Sequence, residues 1–216
     1  MKSTLLNMTA VLFGITLVAS AGVGVVNLIT EEPIAQAKAA ATTAALNEVL
    51  PAFDETTQQA LTIDDLPIAA YTAAANGAVV GYAVETMTKN GFGGAIRMMV
   101  GFTPAGEVYN VNVLEQSETP GLGTKMTDEG NPLIKSFQGK NPGEMQLAVR
   151  KDGGDVDALT AATISSRAYV DALARAYEAY KIVSAAGATV AAVDDASGAT
   201  QPANDEPEAQ EGGQNE

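Results

Sequence analysis

The sequence predicts an α+β domain, an antiparallel sheet with flanking helices, preceded by one N-terminal transmembrane helix. Three observations lead to this prediction. A long uncharged stretch opens the chain, strand patterns separated by turn dipeptides follow, and a strongly amphipathic helix pattern comes last. Strand runs bracketed by helices, rather than alternating with them, are typical of α+β domains. The 216 residues are therefore divided into an anchor at 1–32, a domain at 33–193 and an acidic tail at 194–216.

Composition excludes several kinds of chemistry. The chain has no Cys and no His, and its 12 basic and 26 acidic residues give a net charge of −14. Nucleophilic centres that depend on Cys or His cannot form, nor can zinc, haem or iron–sulfur sites with those ligands. The shortage of Lys and Arg argues against nucleic-acid binding, which requires cations at the phosphates.

The first element is the anchor, since no charged side chain lies between Lys2 and Glu31. Its most apolar part, Met8–Ile29, would extend roughly 33 Å as a helix, enough to cross a hydrocarbon core of about 30 Å. A cleaved signal peptide is the alternative, because Ala19–Ala21 fits a cleavage site, but the apolar stretch continues well beyond it. Lys2 before the span and Glu31 and Glu32 after it predict a domain outside the cytoplasm.

The domain begins with a helix and continues with a sheet. Pro33 fits the first turn of an Ala-rich helix that ends near Pro51. An antiparallel meander is predicted from about Ile68 to Glu115, with turn dipeptides such as Asn76-Gly77 between its strands. The strand runs are Ala78–Met87, Ala95–Phe102 and Glu107–Leu114.

The C-terminal half completes the pattern. A further short strand is predicted at Met145–Lys151, and a helix at Ile164–Val183, where apolar residues recur on one face. From Asp194 to Glu216 there are acidic residues and no basic ones, which predicts a disordered tail.

The first chemical motif is Asp157–Ser166, in which small hydroxylic residues stand directly before the predicted helix. Thr163 falls at the expected N-cap, with Ser165 and Ser166 in the first turn, so helix capping is one interpretation. Anion binding is the other, because free N–H groups, the helix dipole and hydroxyl donors suit a phosphate.

The second motif is Glu118–Gly123, directly after a strand. A tight turn at Pro120-Gly121 explains its composition. However, Leu122 between two glycines would be an exposed apolar side chain on a loop, and such a loop can lie against a flat apolar ligand.

Together these motifs resemble the G subunits of Rnf-type ion-translocating oxidoreductase complexes, which are membrane-anchored FMN-binding proteins. Further matching segments are Glu32–Ile34, Asn47–Pro51, Gly91–Ile96, Val100-Gly101 and Lys151–Gly154. The segment ending at Thr163 is similar to the family's flavinylation motif, whose last Thr carries FMN through a phosphoester bond. Ala161 departs from that motif, because the family usually has Gly there, and a backbone needing φ > 0 would resist Ala.

The resemblance implies a covalently flavinylated electron-transfer subunit of a redox-driven translocase. It also implies a bacterial inner-membrane location with one span, other membrane subunits as partners, and a flavin transferase for maturation. The implied ring-side residues are Glu118, Thr119, Gly121, Leu122 and Gly123. The implied phosphate-side residues are Thr160, Ala162, Thr163 and Ser165.

Three alternatives stay open at this point. The C subunit of the sodium-translocating NADH:quinone oxidoreductase shares both motifs. The other two are a non-redox anchored module that serves assembly and an extracytoplasmic module that binds a small ligand without a covalent bond.

Overall fold

The computed structural model describes residues 2–197. Most of the acidic tail expected at 194–216 lies outside the described residues, from residue 198 onward. Within them, helix α1 covers Lys2–Val49, α2 covers Pro132–Phe137 and α3 covers Thr163–Ser197. The fold class predicted from the sequence is confirmed, since one long apolar helix precedes an antiparallel sheet with flanking helices.

Helix α1 is a single unbroken helix from the anchor into the domain. In the described chain it is the one helix long and apolar enough to cross a membrane, and its apolar part is fully exposed. The expectation that a second helix starts at Pro33 is wrong, because Pro33 lies inside α1. Proline removes one hydrogen bond from the helical ladder, but the alanine-rich sequence around it strongly favours helix, which continues on both sides.

The sheet is a meander of five antiparallel strands in chain order. The strands are β1 (Glu55–Ile63), β2 (Leu66–Ala75), β3 (Ala78–Thr88), β4 (Ile96–Phe102) and β5 (Val108–Glu115). The predicted turn between β2 and β3 is confirmed, with Asn76 and Gly77 at φ values of 52° and 76°. Strand β1 was not expected, because this edge strand is polar and mostly exposed and therefore lacks the apolar alternation of a half-buried strand.

The two faces of the sheet are covered by different helices. Helix α3 packs on one face, where Val84 and Val100 of the sheet and Leu173 of α3 belong to one core cluster. The last turn of α1 packs on the other face, with Val49 and Met99 in a second cluster. A side chain at Gly101 would overlap the Val49 backbone, so this glycine permits the close approach of α1.

The segment Met145–Lys151 is not the strand that its sequence suggests. Val149 forms only an isolated parallel bridge with Val156, and a 3₁₀ turn follows at Arg150–Asp152. A strand needs a partner with a free edge, and this segment bonds instead within its own loop. The predicted helix Ile164–Val183 is confirmed as part of α3, which starts one residue earlier and continues to Ser197.

Candidate functional site

Three segments that are far apart in the sequence meet at a cleft of about 300 Å³. They are the loop between β3 and β4, the loop that follows β5, and the start of α3. The residues that line the cleft are Phe92, Glu118, Thr119, Leu122, Gly123, Ala161, Ala162, Thr163, Ile164 and Ser165. The two motifs singled out from the sequence therefore both line one cavity.

Glu118 joins these segments through hydrogen bonds. Its Oε2 accepts a hydrogen bond from the Ser165 hydroxyl at 2.5 Å, and its Oε1 accepts one from the Gly93 N–H at 3.0 Å. The Glu118 side chain is buried, with 5% of the residue exposed. A side chain at Gly123 would lie 2.6 Å from Glu118 Oε2, so this loop position has room only for glycine.

The start of α3 leaves unpaired donors at the cleft. The carbonyl of Ala162 accepts the first helical hydrogen bond, from the Ser166 N–H at 3.0 Å, so Ala162 and not Thr163 holds the N-cap. Alanine has no side-chain oxygen that could cap the helix. Among the described residues, none accepts a hydrogen bond from the N–H groups of Thr163, Ile164 and Ser165. An anion placed in the cleft would meet these donors and the positive end of the helix dipole.

Ala161 precedes this helix in a left-handed backbone conformation, with φ at 60°. A residue with a Cβ atom is strained there by about 1–2 kcal/mol. The expectation that a backbone requiring φ > 0 would resist Ala at this position therefore applies to this chain. The strained turn places the Thr163 side chain, which is half-buried, at the cleft.

Residues outside the cleft hold the segment before α3 in place through hydrogen bonds. The Leu159 N–H donates to the Ser166 hydroxyl at 2.9 Å, and the Asp157 N–H donates to the Ser136 hydroxyl at 2.9 Å. Arg167 on the first turns of α3 binds Asp152 through two hydrogen bonds of 2.7 Å. The hydrogen bond from Arg167 is the main reason why the pKa of the Asp152 carboxyl lies below its usual value.

The wall of the cleft also carries exposed apolar side chains. Leu122 is 39% exposed, Ile164 48% and Phe92 66%. Such side chains are normally buried, and three of them around one cavity suit a flat apolar ligand. Phe92 and Ile164 were not predicted as site residues. The Gly91-Phe92-Gly93 sequence repeats the pattern of Gly121-Leu122-Gly123, and this similarity could have identified Phe92.

Two residues expected at the site do not line the cleft. Thr160 and Gly121 are both exposed, and neither is part of the cavity wall. Gly121 has a φ of 73°, so it shapes the loop that carries Leu122. The other predicted residues, Glu118, Thr119, Leu122, Gly123, Ala162, Thr163 and Ser165, all lie in the wall.

A larger depression on the sheet is a weaker candidate. It has a volume of about 530 Å³, and Arg97 is one of the residues that line it. Arg97 forms ion pairs with Glu85 at 3.1 Å and Glu115 at 3.3 Å, so its charge is already balanced within the protein. The smaller cleft at α3 combines unpaired donors with exposed apolar side chains, which is the composition of a ligand site.

The cleft lies within the part of the chain that matches a known family. The family profile of the FMN-binding domain matches residues 91–178, a range that contains every residue lining the cleft. The fold and the cleft therefore define an FMN-binding domain attached to a helix of membrane-spanning length.

Relatives that align with this chain over most of their length identify the family. The G subunit of the ion-translocating oxidoreductase complex of Shewanella piezotolerans is 33% identical over 80% of this chain and 88% of its own length. The proteins of the same name from Shewanella loihica and Photorhabdus laumondii are 35% and 36% identical. These matches cover 81% and 70% of this chain, and 89% and 78% of the two relatives. The chain belongs to this family of G subunits, which confirms the resemblance found in the sequence.

Proposed function

We propose that this protein is the FMN-carrying electron-transfer subunit of a membrane-bound, ion-translocating oxidoreductase complex, with FMN attached to Thr163. The observation that supports this most directly is the cleft itself. It combines the unpaired N–H groups at the start of α3 with the exposed apolar side chains of Leu122 and Phe92. A flavin mononucleotide has matching chemistry, a phosphate at one end and a flat ring system at the other.

On the phosphate side, the helix start would bind and orient the group. The N–H groups of Thr163, Ile164 and Ser165 would donate to phosphate oxygens, with the helix dipole adding to the attraction. Thr163 lines the same cleft, and its hydroxyl is the proposed point of attachment. In the proposed maturation, a flavin transferase uses FAD as donor. A bond forms between Thr163 Oγ1 and the flavin-side phosphorus, the diphosphate bond breaks, AMP leaves, and the transferase accepts the hydroxyl proton.

On the ring side, the chain would control the surroundings of the flavin. FMN supplies the redox chemistry, since it exchanges one or two electrons, while the protein contributes binding, orientation and electrostatics. Leu122, Ile164 and Phe92 would exclude water from part of the ring. Glu118 and Ser165 bond to each other, so their polar atoms have partners within the protein.

The location follows from helix α1. We propose that its apolar part crosses the bacterial inner membrane and that the domain lies outside the cytoplasm, because Lys2 precedes the span and Glu31 follows it. The same helix continues without a break to Val49, which is buried against the sheet. The cleft is thereby tied to the membrane, where the partner subunits of the complex would exchange electrons with it.

The decisive experiment compares two hydroxyl residues of one motif. The full chain is produced together with a flavin transferase, separated by denaturing electrophoresis and inspected under ultraviolet light. We expect flavin fluorescence on the band of the wild type and of Thr160→Ala, because Thr160 lies outside the cleft. Thr163→Ala should lose it. A fluorescent Thr163→Ala band would refute the attachment site, and a dark wild-type band would refute covalent attachment altogether.

A further inference from the structure

Glu118 is a buried acid in the cleft without a basic partner. It is 5% exposed, and none of the ion pairs within residues 2–197 includes it. The buried Arg175 of α3, by contrast, is paired with Asp64 and Asp171. A buried charge that lacks a counter-charge is costly, so its retention in a ligand cleft calls for an explanation other than stability.

The two hydrogen bonds to Glu118 can both be accepted by a carboxylate. Oε1 accepts from the Gly93 N–H and Oε2 from the Ser165 hydroxyl, and an ionised carboxyl group acts only as an acceptor. The position is also rigid. A Cβ atom at Gly91 would lie 2.6 Å from Oε1, and one at Gly123 would lie 2.6 Å from Oε2. These glycines let the backbone close around the carboxylate, so the charge stays in one place.

We propose that Glu118 is a fixed negative charge that lowers the reduction potential of the flavin in this cleft. The inference rests on the proposed function, because it requires FMN to occupy the cleft. Reduction adds electrons to the ring system, and a nearby negative charge opposes that addition. The opposition is stronger in a cleft partly shielded from water, where charges are less screened. Glu118 is the one acidic residue among those that line the cleft.

The start of α3 acts in the opposite direction. The unpaired N–H groups at Thr163, Ile164 and Ser165 carry partial positive charge, which a bound phosphate would balance. Glu118 accepts hydrogen bonds from Gly93 and Ser165, but no basic side chain of the described residues forms an ion pair with it. The contribution of Glu118 to the potential at the ring is therefore negative, and it can be removed by neutralising this one side chain.

The test is a redox titration of the full-length, flavinylated protein in detergent. Glu118→Gln has the same shape and still offers an acceptor to the Gly93 N–H, but it carries no charge. We expect its midpoint potential to be more positive than that of the wild type. Glu129→Gln makes the same change in net charge at an exposed residue outside the cleft, and we expect no shift.

Ser165→Ala distinguishes the effect of the Glu118 charge from the effect of the Glu118–Ser165 hydrogen bond. Both Ser165→Ala and Glu118→Gln alter the Glu118–Ser165 contact, but only the second removes the charge. A purely structural role for Glu118 would give both variants the same shift, and that result would overturn the proposal. An unchanged potential in Glu118→Gln would overturn it as well. Glu118→Ala serves as a second neutral variant if Glu118→Gln does not fold.

Flavin occupancy keeps this inference distinct from the proposed function. Occupancy is measured on every sample by absorbance and by fluorescence on denaturing gels. If the wild type carries no flavin, the proposed function fails. If it carries flavin and the potential does not respond to Glu118→Gln, only the role of Glu118 fails.

Discussion

Replacing Ala161 by glycine should stabilise the protein. Ala161 has a φ of 60°, a conformation that costs a residue with a Cβ atom about 1–2 kcal/mol and costs glycine almost nothing. The side chain is exposed, so its removal sacrifices little buried apolar area. Glycine also increases the entropy of the unfolded chain, which offsets about 0.4–1 kcal/mol of the gain. The expected net increase in the free energy of unfolding is about 0.5–1 kcal/mol.

The assay is chemical denaturation of the full chain in detergent, without flavin, because a bound ligand would add its own stabilisation. The chain has six Tyr and no Trp, and every Tyr lies in the domain, so tyrosine fluorescence reports on the domain and not on the membrane helix. The midpoint temperature of thermal unfolding should be higher for Ala161→Gly than for the wild type, by about 1–4 °C for a domain of this size.

Ala168→Gly is the matched control. Ala168 lies inside α3, is buried and is not among the residues with positive φ, so glycine there relieves no strain and removes a buried methyl group. We expect this variant to be less stable by about 1–2 kcal/mol. The reasoning is refuted if Ala161→Gly is no more stable than the wild type, or if the two variants change stability in the same direction.

Three further outcomes follow from the structure. Gly123→Ala should destabilise the domain by about 1–3 kcal/mol, because the new Cβ would meet Glu118 and Ser165 at less than 3 Å. An unchanged free energy of unfolding in denaturation would contradict this explanation. Leu122→Ala should raise the midpoint potential of the bound flavin, since water reaching the ring favours the more highly charged reduced form; an unchanged potential and an unchanged spectrum would remove Leu122 from contact with the ring. Protease added to intact spheroplasts should degrade the domain, and protection until lysis would reverse the proposed orientation.

Much of this protein was predictable because the signals are local. The uncharged stretch Met8–Ile29 identifies a helix long and apolar enough to span a membrane, and α3 shows its apolar face directly in the residue spacing. The turn at Asn76-Gly77 needs positive φ at both residues, and these two residue types tolerate it best. In each case the segment contains within itself the physical reason for its conformation.

The tertiary structure decided the conformation of those segments that depend on contacts with distant parts of the chain. The polar segment Glu55–Ile63 is a strand because β2 pairs with it, and Met145–Lys151 is not one because its backbone bonds within its own loop. The cleft is also a product of tertiary contacts. Glu118 and Ser165 are 47 residues apart, and only the packing of α3 against the sheet brings the carboxylate, the unpaired helix start and Leu122 to one cavity. Local sequence patterns specified the parts of the site, while long-range packing determined how the parts meet.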